Sequence, residues 1–498
     1  MNVGKTYQEE IINKNGSTKS GFPKGLPFIV SNEAAERFSF YGMSSILPTF
    51  LVAQFFNPHH LKGLETFAEA KANAQTHFFV TLAYFLPLLG GMAADWFFGK
   101  YKVILYVSIV YCFGHLLLSI LDENLNGFIW GLVLIAIGAG GIKSCVSANL
   151  GDQFTYQNQH LLSKAYGWFY FSINVGSVLA TVFIPYVYHV YGPKWAFGIP
   201  GILMAMATLI FVSGRKTYRI IPPKGIKKDN FWVVHVCLIR IFIRSWFGKK
   251  KVQKPWKAQL QNRFSEDTLD GVEALWRILL VLLFVPIFWA MWYQSLSEWV
   301  IQAYHLNLST GIQGLTLLPE QVQTLNPFFL VTGIPLFTYL IYPKLEKFGI
   351  KVSPLRKIGS GLFFIGLSFV VIALVQARVD LGEHPTVYWQ LLAYLLVSIS
   401  EILISVTCLE YAYTQSPASM KSTMTAIWWL TLSIGNLFTA LVNKSISEKG
   451  IFSSFTGARY YWLFVWILLG FFLIFVLVSK NIKEKTYLLV DETIPQGI

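Results

Sequence analysis

Long apolar runs and short polar breaks alternate along the chain. About twelve stretches of about 18 or more residues carry few charges, at roughly 28–56, 74–99, 102–120, 128–150, 163–190, 195–213, 274–303, 321–345, 354–376, 386–413, 419–444 and 456–480. A helix needs about 20 apolar residues to cross the hydrocarbon of a bilayer. The runs lack the alternating ten-residue segments of an outer-membrane barrel, so the pattern predicts an all-α, multi-pass bundle.

One long polar interval, 214–270, separates six runs from six. The expected plan is a tail (1–27), a six-helix bundle (28–213), a basic linker (214–272), a second six-helix bundle (273–480) and a tail (481–498). The linker contains "NFWVVHVCLIRIFIRSWFGKKK", which begins like another span. Arg240 and Arg244 share one helical face there, with Trp and Phe opposite, the pattern of a helix lying in the membrane interface. Counting it as a crossing would invert the second half and put its basic loops outside. Two bundles joined in this way suggest a site between them at mid-membrane depth.

Composition agrees, with 13% charged and 54% hydrophobic residues, against about 25% charged in a soluble protein. The net charge of +14 is unevenly placed. Lysines crowd the first tail (Lys5, Lys14, Lys19, Lys24), the turn after the second run (Lys100, Lys102) and the last tail (Lys480, Lys483, Lys485). Lys344, Lys347, Lys351, Arg356 and Lys357 follow the eighth run, and the largest cluster lies between Arg215 and Arg263. All fall on one side if both termini are cytoplasmic. Topology and lipid headgroups thus account for the basic balance without nucleic acid. The expected setting is a plasma or cell inner membrane, and the expected state a monomer. The residues before Phe28 are mostly polar, so the first helix is expected to act as its own insertion signal, with no cleaved leader. Cys112, Cys145, Cys237 and Cys408 show no paired metal spacing and read as small packing residues.

The first run hides charge. "NEAAERFSFYGM", 32–43, sets Glu33, Glu36 and Arg37 where each costs roughly 2.5–3.5 kcal/mol to insert. On a helix Glu33, Arg37, Phe40, Tyr41 and Ser44 form one stripe with Glu36 at its edge, which should face a wet cavity or partners on other helices. Two acids and one base leave a carboxylate over, able to carry a proton. Lys143, in "GGIKSC", needs a carboxylate at that depth, and Glu33 and Glu36 are the candidates. Lys143 does not directly follow a glycine, which excludes a phosphate loop; Gly138, Gly140 and Gly141 allow close helix approach. Glu401 is an acid without a local partner in the other half. His77 opens the second run, seven residues before Tyr84 and on the same face. Asn326 precedes Pro327 in an otherwise helical run, which predicts a kink and a freed carbonyl. Asn307-Leu-Ser and Asn443-Lys-Ser have the form of glycosylation acceptors. No nucleophile–base pair, metal cluster or cofactor loop stands at usable spacing, so an enzyme is not expected.

The stretch Glu33-x-x-Glu36-Arg37-Phe38-Ser39-Phe40-Tyr41-Gly42 resembles the "ExxERFxYYG" motif of the proton-dependent oligopeptide transporter family, a branch of the major facilitator superfamily. The resemblance continues through "GGMAADWFFGK" (90–100), "GAGGIKSCVSANLGDQF" (138–154) and "FYFSINVGS" (169–177). In the second half it runs through "FWAMWYQ" (288–294), "LLPEQVQTLNPFF" (317–329), "SEILISVTCLEYAYTQSP" (400–417) and "AIWWLTLSIGN" (426–436). The wording is closer to animal peptide transporters than to many bacterial ones, without their large extracellular insert.

The resemblance implies about twelve helices in the superfamily fold and proton-coupled import of di- and tripeptides, driven by the proton gradient with no cofactor. Glu33, Glu36, Lys143 and His77 would handle protons. Lys143 would pair with Glu33 or Glu36 and leave Arg37 free for the peptide's carboxylate, while Glu401 would meet its ammonium group. Tyr41, Tyr84, Trp289 and Trp428 would shape side-chain pockets, and Ser405 is counted with the substrate-binding set. Asn174, Gln294 and Asn326 can hydrogen-bond a peptide backbone without reading its sequence, or bond helix to helix.

The chain also departs from the family. Ser44 stands where the family has an arginine and Tyr293 where it has an acid, two charges that pair to close the outer gate. With both gone, closure should rely on packing or on Glu298. Phe40 replaces a tyrosine. Two other readings share the residues: a carrier of histidine, nitrate or another small solute, and a peptide sensor that does not transport. Glu401 discriminates, because an anion carrier has little use for an acid in the cleft.

Overall fold

The computed structural model describes residues 21–61, 63–155, 158, 161–223, 225, 233–240, 256–311, 316–414 and 421–482. Helix is the form that satisfies backbone N–H and C=O groups inside one segment, which hydrocarbon demands. The first half folds into α1 (Leu26–Leu51), α2 (Glu65–Ala93), α3 (Lys100–Ile120), α4 (Leu125–Asp152), α5 (Leu162–Tyr191) and α6 (Pro193–Ser213). The second half is more broken. It comprises α7 (Glu266–Leu282), α8 (Val285–Trp292), α9 (Glu298–Ala303), α10 (Leu325–Leu336), α11 (Pro354–Asp380), α12 (Tyr388–Glu401), α13 (Thr407–Thr414), α14 (Lys421–Ser447) and α15 (Ala458–Ser479).

Among the described residues nine helices are long and apolar enough to cross a membrane, and ten if the pair Thr268–Leu282 and Val285–Ala303, bent by 44°, counts as one. α1 falls short because Glu33, Glu36 and Arg37 interrupt it, and α14, also outside that count, is a 27-residue helix with no charged residue between Lys421 and Lys444. With them the bundle is consistent with twelve crossings. Large apolar side chains such as Leu209, Trp130 and Leu477 stand outward, as a lipid-facing surface requires.

In the first bundle α3 packs on α4 and α6, and α1 on α5 and α6; in the second, α11 packs on α12 and α15, and α8 on α14. Aromatic clusters mark the two ends of the first bundle. Tyr101, Phe211 and Tyr218 stack where the chain enters the linker, with Phe28 beside Tyr218. Phe50, Phe128 and Phe197 meet at the opposite, far end, with centroids 4.9–5.2 Å apart. At the linker end Lys100 Nζ lies 2.6 Å from Asp152 Oδ2. Lys257, on the short helix Trp256–Leu260, bonds Asp270 Oδ1 at 2.6 Å and also Glu273, contacts that raise its pKa.

Several details differ from the periodicity. α2 begins nine residues before the apolar run, because Glu65–Asn73 can form helix beyond the hydrocarbon. The kink expected at Pro327 is not formed: a 3₁₀ turn, Pro319–Thr324, leads into α10 at Leu325. Pro327 therefore sits in the first turn, where its missing N–H leaves no bond unmade. Asn443 cannot be a glycosylation acceptor, since it is buried inside α14 and hydrogen-bonded to Glu298 and Tyr460. Asn307 is exposed. In the linker, residues 233–240 are helical with Val234 and Cys237 buried and Arg240 exposed; Arg244 lies outside the described residues, as do the tails 1–20 and 483–498.

Candidate functional site

Four buried charges occupy the middle of the first bundle. Arg37 Nε lies 2.9 Å from Glu33 Oε1, one helical turn away, and its Nη2 lies 2.6 Å from Glu36 Oε2. Lys143, reaching from α4, sets Nζ 3.4 Å from Glu36 Oε1. Glu36 thus bridges the two cations. Arg37, expected free, is engaged by both acids. In low dielectric an uncompensated charge costs several kcal/mol, so neighbouring charges close on one another. Lys143 Nζ also stands 3.8 Å above the Phe40 ring and 5.1 Å from that of Tyr84. Phe40 has lost the family's hydroxyl but supplies an aromatic face to the ammonium. Gly140 lets α4 carry Lys143 this close to α2: a Cβ there would lie 2.5 Å from Leu86 Cβ.

The second bundle offers one carboxylate held by neutral donors. The Trp292 indole N–H donates to Glu401 Oε2 at 2.7 Å, and the Asn326 amide donates to the same oxygen at 2.9 Å and to Ser398 Oγ at 3.1 Å. Both donors take the same oxygen, Oε2, and leave Oε1 to a further partner. A π-helical turn, Ile402–Val406, follows Glu401 directly and breaks the regular spacing of side chains after it. Ser405 is half-buried within that turn. Asn326, expected to bond either a peptide backbone or another helix, bonds Glu401 of α12.

An aromatic wall lies between the two charge sites. Tyr84 of α2 stacks on Trp429 of α14 at 5.5 Å and approaches Tyr293 at 5.7 Å. Trp289 meets Trp292 edge-on at 5.5 Å and Trp428 at 5.8 Å. α14 comes this close to α8 through Gly435, where a Cβ would fall 2.4 Å from the Pro286 carbonyl oxygen. Tyr41 is half-buried beside Phe40 and feels the charges of both Arg37 and Glu401. The Asn174 and Gln294 amides donate to carbonyls of their own helices, Tyr170 at 2.8 Å and Ala290 at 2.9 Å. They act first as intrahelical braces.

His77 does not join this group. It stands toward the far end of α2 in a buried contact between bundles. Nε2 lies 3.2 Å from Glu298 Oε2 and 3.0 Å from Ser297 Oγ, and Nδ1 lies 2.8 Å from Asn436 Oδ1. Asn436 turns its Nδ2 to the Leu432 carbonyl and so presents an acceptor to the ring. Nδ1 thus faces an amide oxygen, and Nε2 faces a hydroxyl and a carboxylate. Glu298 also accepts from Ser297, from Tyr460 OH at 2.8 Å and from Asn443 at 2.8 Å. Ser44 and Tyr293 are both buried without charge, and the acid stands five residues further along, on α9.

A second contact of the same kind was not singled out from the sequence. Glu320, fully buried, accepts from Thr49 Oγ1 at 3.2 Å and from Tyr304 OH, and its Oε2 lies 3.3 Å from His189 Nε2 of α5. Gln321, Gln323 and Thr324 add bonds to Val182, Ser45 and Thr181, and Ser433 bonds the Thr81 carbonyl. These hydrogen bonds between the bundles all come from mid-helix or beyond, toward the far end. Trp292, Glu320 and His189 carried one weak signal each: a polar group near an apolar helix end reads equally as a headgroup contact. Among the described residues no group of His, Cys, Asp and Glu could hold a metal ion.

Comparison with known proteins adds a second line of evidence. The profile described as "POT family" matches residues 101–463. The chain is 36% identical over 382 residues to "Peptide transporter family 1" of Drosophila melanogaster, covering 73% of this chain and 49% of that protein. It is 35% identical over 382 residues to "Solute carrier family 15 member 2" of Rattus norvegicus, covering 74% and 50%. The chain therefore spans about half the length of the curated relatives it matches. Among solved structures, the POT family transporter PepTSo superposes with a TM-score of 0.83 at 33% identity, covering 93% of this chain and 99% of that one. An auto-inhibited POT family peptide transporter superposes at 0.82 with 31% identity, covering 95% and 99%.

Proposed function

The chain belongs to the POT family of transporters, and on that premise we propose that it is a symporter importing di- and tripeptides by alternating access, with the proton gradient rather than a bound cofactor as driving force. The protein acts as a monomer in a plasma or cell inner membrane, both termini cytoplasmic and the far end outside. The observation that carries this reading is the buried chain Glu33–Arg37–Glu36–Lys143, set in one bundle opposite Glu401 in the other.

The geometry supports a coupling mechanism. A peptide carboxylate can take Arg37 only from Glu33 and Glu36. Protonating one of these acids removes its claim, so proton and peptide each favour binding of the other. The peptide's ammonium group meets Glu401 Oε1 while Trp292 and Asn326 keep Oε2. Spanning both bundles, a zwitterion of the right length draws them together, and the aromatic wall accepts varied side chains. At the far end, a proton on His77 strengthens the contact with Glu298 and favours closure toward the outside.

The test is uptake of a labelled dipeptide into proteoliposomes with an imposed inward proton gradient. Uptake should rise with the gradient and be competed by tripeptides, and not by nitrate or histidine. Uptake indifferent to the gradient would refute coupling, and binding in detergent without flux would favour a sensor.

A further inference from the structure

We infer that a groove at the linker end of the second bundle binds an anionic phospholipid from the adjoining leaflet. The groove encloses a cavity of about 740 Å³ between the segment 342–364 and the end of α15. Its size is that of a site for one small organic molecule, about 300–1,000 Å³. Four cations line its mouth: Lys351, Arg356, Lys357 and Lys480. Its depth is apolar, walled by Phe364, Phe472 and Phe475.

The cations are organised by the fold. Ser353 caps α11, its Oγ accepting the Arg356 N–H at 3.4 Å, and Arg356 Nη1 donates to the Lys351 carbonyl at 3.2 Å. Lys357 Nζ stands 4.4 Å above the Tyr342 ring. The positive end of α11 therefore points at the same place as four cationic side chains. The nearby acids are Glu346, exposed on the helix Tyr342–Lys347, and Glu410, whose charge acts on Tyr342; neither lines the cavity.

The shape selects among anions. A free phosphate would use the mouth and leave the aromatic depth unfilled. A phospholipid places its phosphate at the mouth and an acyl chain along the phenylalanines. Phe363 beside them is 55% exposed, so the groove opens sideways toward hydrocarbon. Basic pockets between helices on the cytoplasmic side are a known form of headgroup site.

The experiment is native mass spectrometry of the full chain released from detergent, titrated with phosphatidylglycerol or phosphatidylcholine. One phosphatidylglycerol should be retained in preference to phosphatidylcholine. The triple variant Arg356→Gln, Lys357→Gln, Lys480→Gln should weaken it roughly a hundredfold, at about fivefold per cation. A control triple on the first bundle and the start of the linker, Lys102→Gln, Lys164→Gln, Lys216→Gln, should retain it. Both variants should melt like the parent in phosphatidylcholine, which separates lost binding from lost folding. Equal retention of the two lipids, equal loss in the two triples, or displacement by millimolar inorganic phosphate would each overturn the inference.

Discussion

The charges on α1 and α4 never leave the first bundle, whereas the histidine contacts at the far end each join one bundle to the other. Glu33, Glu36, Arg37 and Lys143 can exchange partners while every backbone stays in place. His77–Glu298 and His189–Glu320 have to separate before the far end can open. On the proposed function, the first arrangement would tune affinity and the second would set which side is reached. Both set a carboxylate against a nitrogen-bearing side chain, so what divides them is connectivity rather than chemistry. A proton transfer that reaches one set can be felt at the other only through the helices between them, and α2 carries His77 and Tyr84 two turns apart.

The largest effect is expected inside the first bundle. Glu36→Gln leaves Arg37 and Lys143 with Glu33 alone, and breaking a buried pair costs about 3–5 kcal/mol. Gradient-driven uptake should fall by more than roughly a hundredfold, while counterflow exchange of dipeptide persists and reports an intact fold. Driven uptake close to the parent's would remove Glu36 from the coupling.

At the far end the effect should be smaller and of another kind. Glu298→Gln loses hydrogen bonds to a charged group, worth about 1.5–3 kcal/mol. The bundles should part there more often. A cysteine placed at Ser45, in a chain freed of its four native cysteines, should be labelled from the outside on the order of tenfold faster. The His77→Gln, Glu298→Gln pair should be no faster than either single change, because one contact has been cut twice. Additive rates would mean that the two residues do not share a latch.

His189→Gln should matter least. The His189 side chain is 37% exposed, and exposed pairs are worth about 0.2–1 kcal/mol. The same labelling should quicken by no more than about fivefold. An effect larger than that of Glu298→Gln would reverse the ranking of the two contacts.

The all-helical, multi-pass character and the charged stripe of α1 were legible in the sequence, because hydrophobic length and helical period are local properties. The i, i+4 placement of Glu33 and Arg37 follows from helix geometry alone. The absence of charge at both Ser44 and Tyr293 was also legible, and with it the choice between closure by packing and closure by Glu298. What that acid meets was not: His77 and Glu298 are 221 positions apart, and only the docking of α9 beside α2 joins them. The same holds for His189 and Glu320, and for Trp292 as the donor to Glu401. A sequence can state that a buried charge needs a partner, since desolvation makes that demand at any position. Only the tertiary structure chooses the partner, because the choice depends on which helices lie side by side and at what depth their polar atoms coincide.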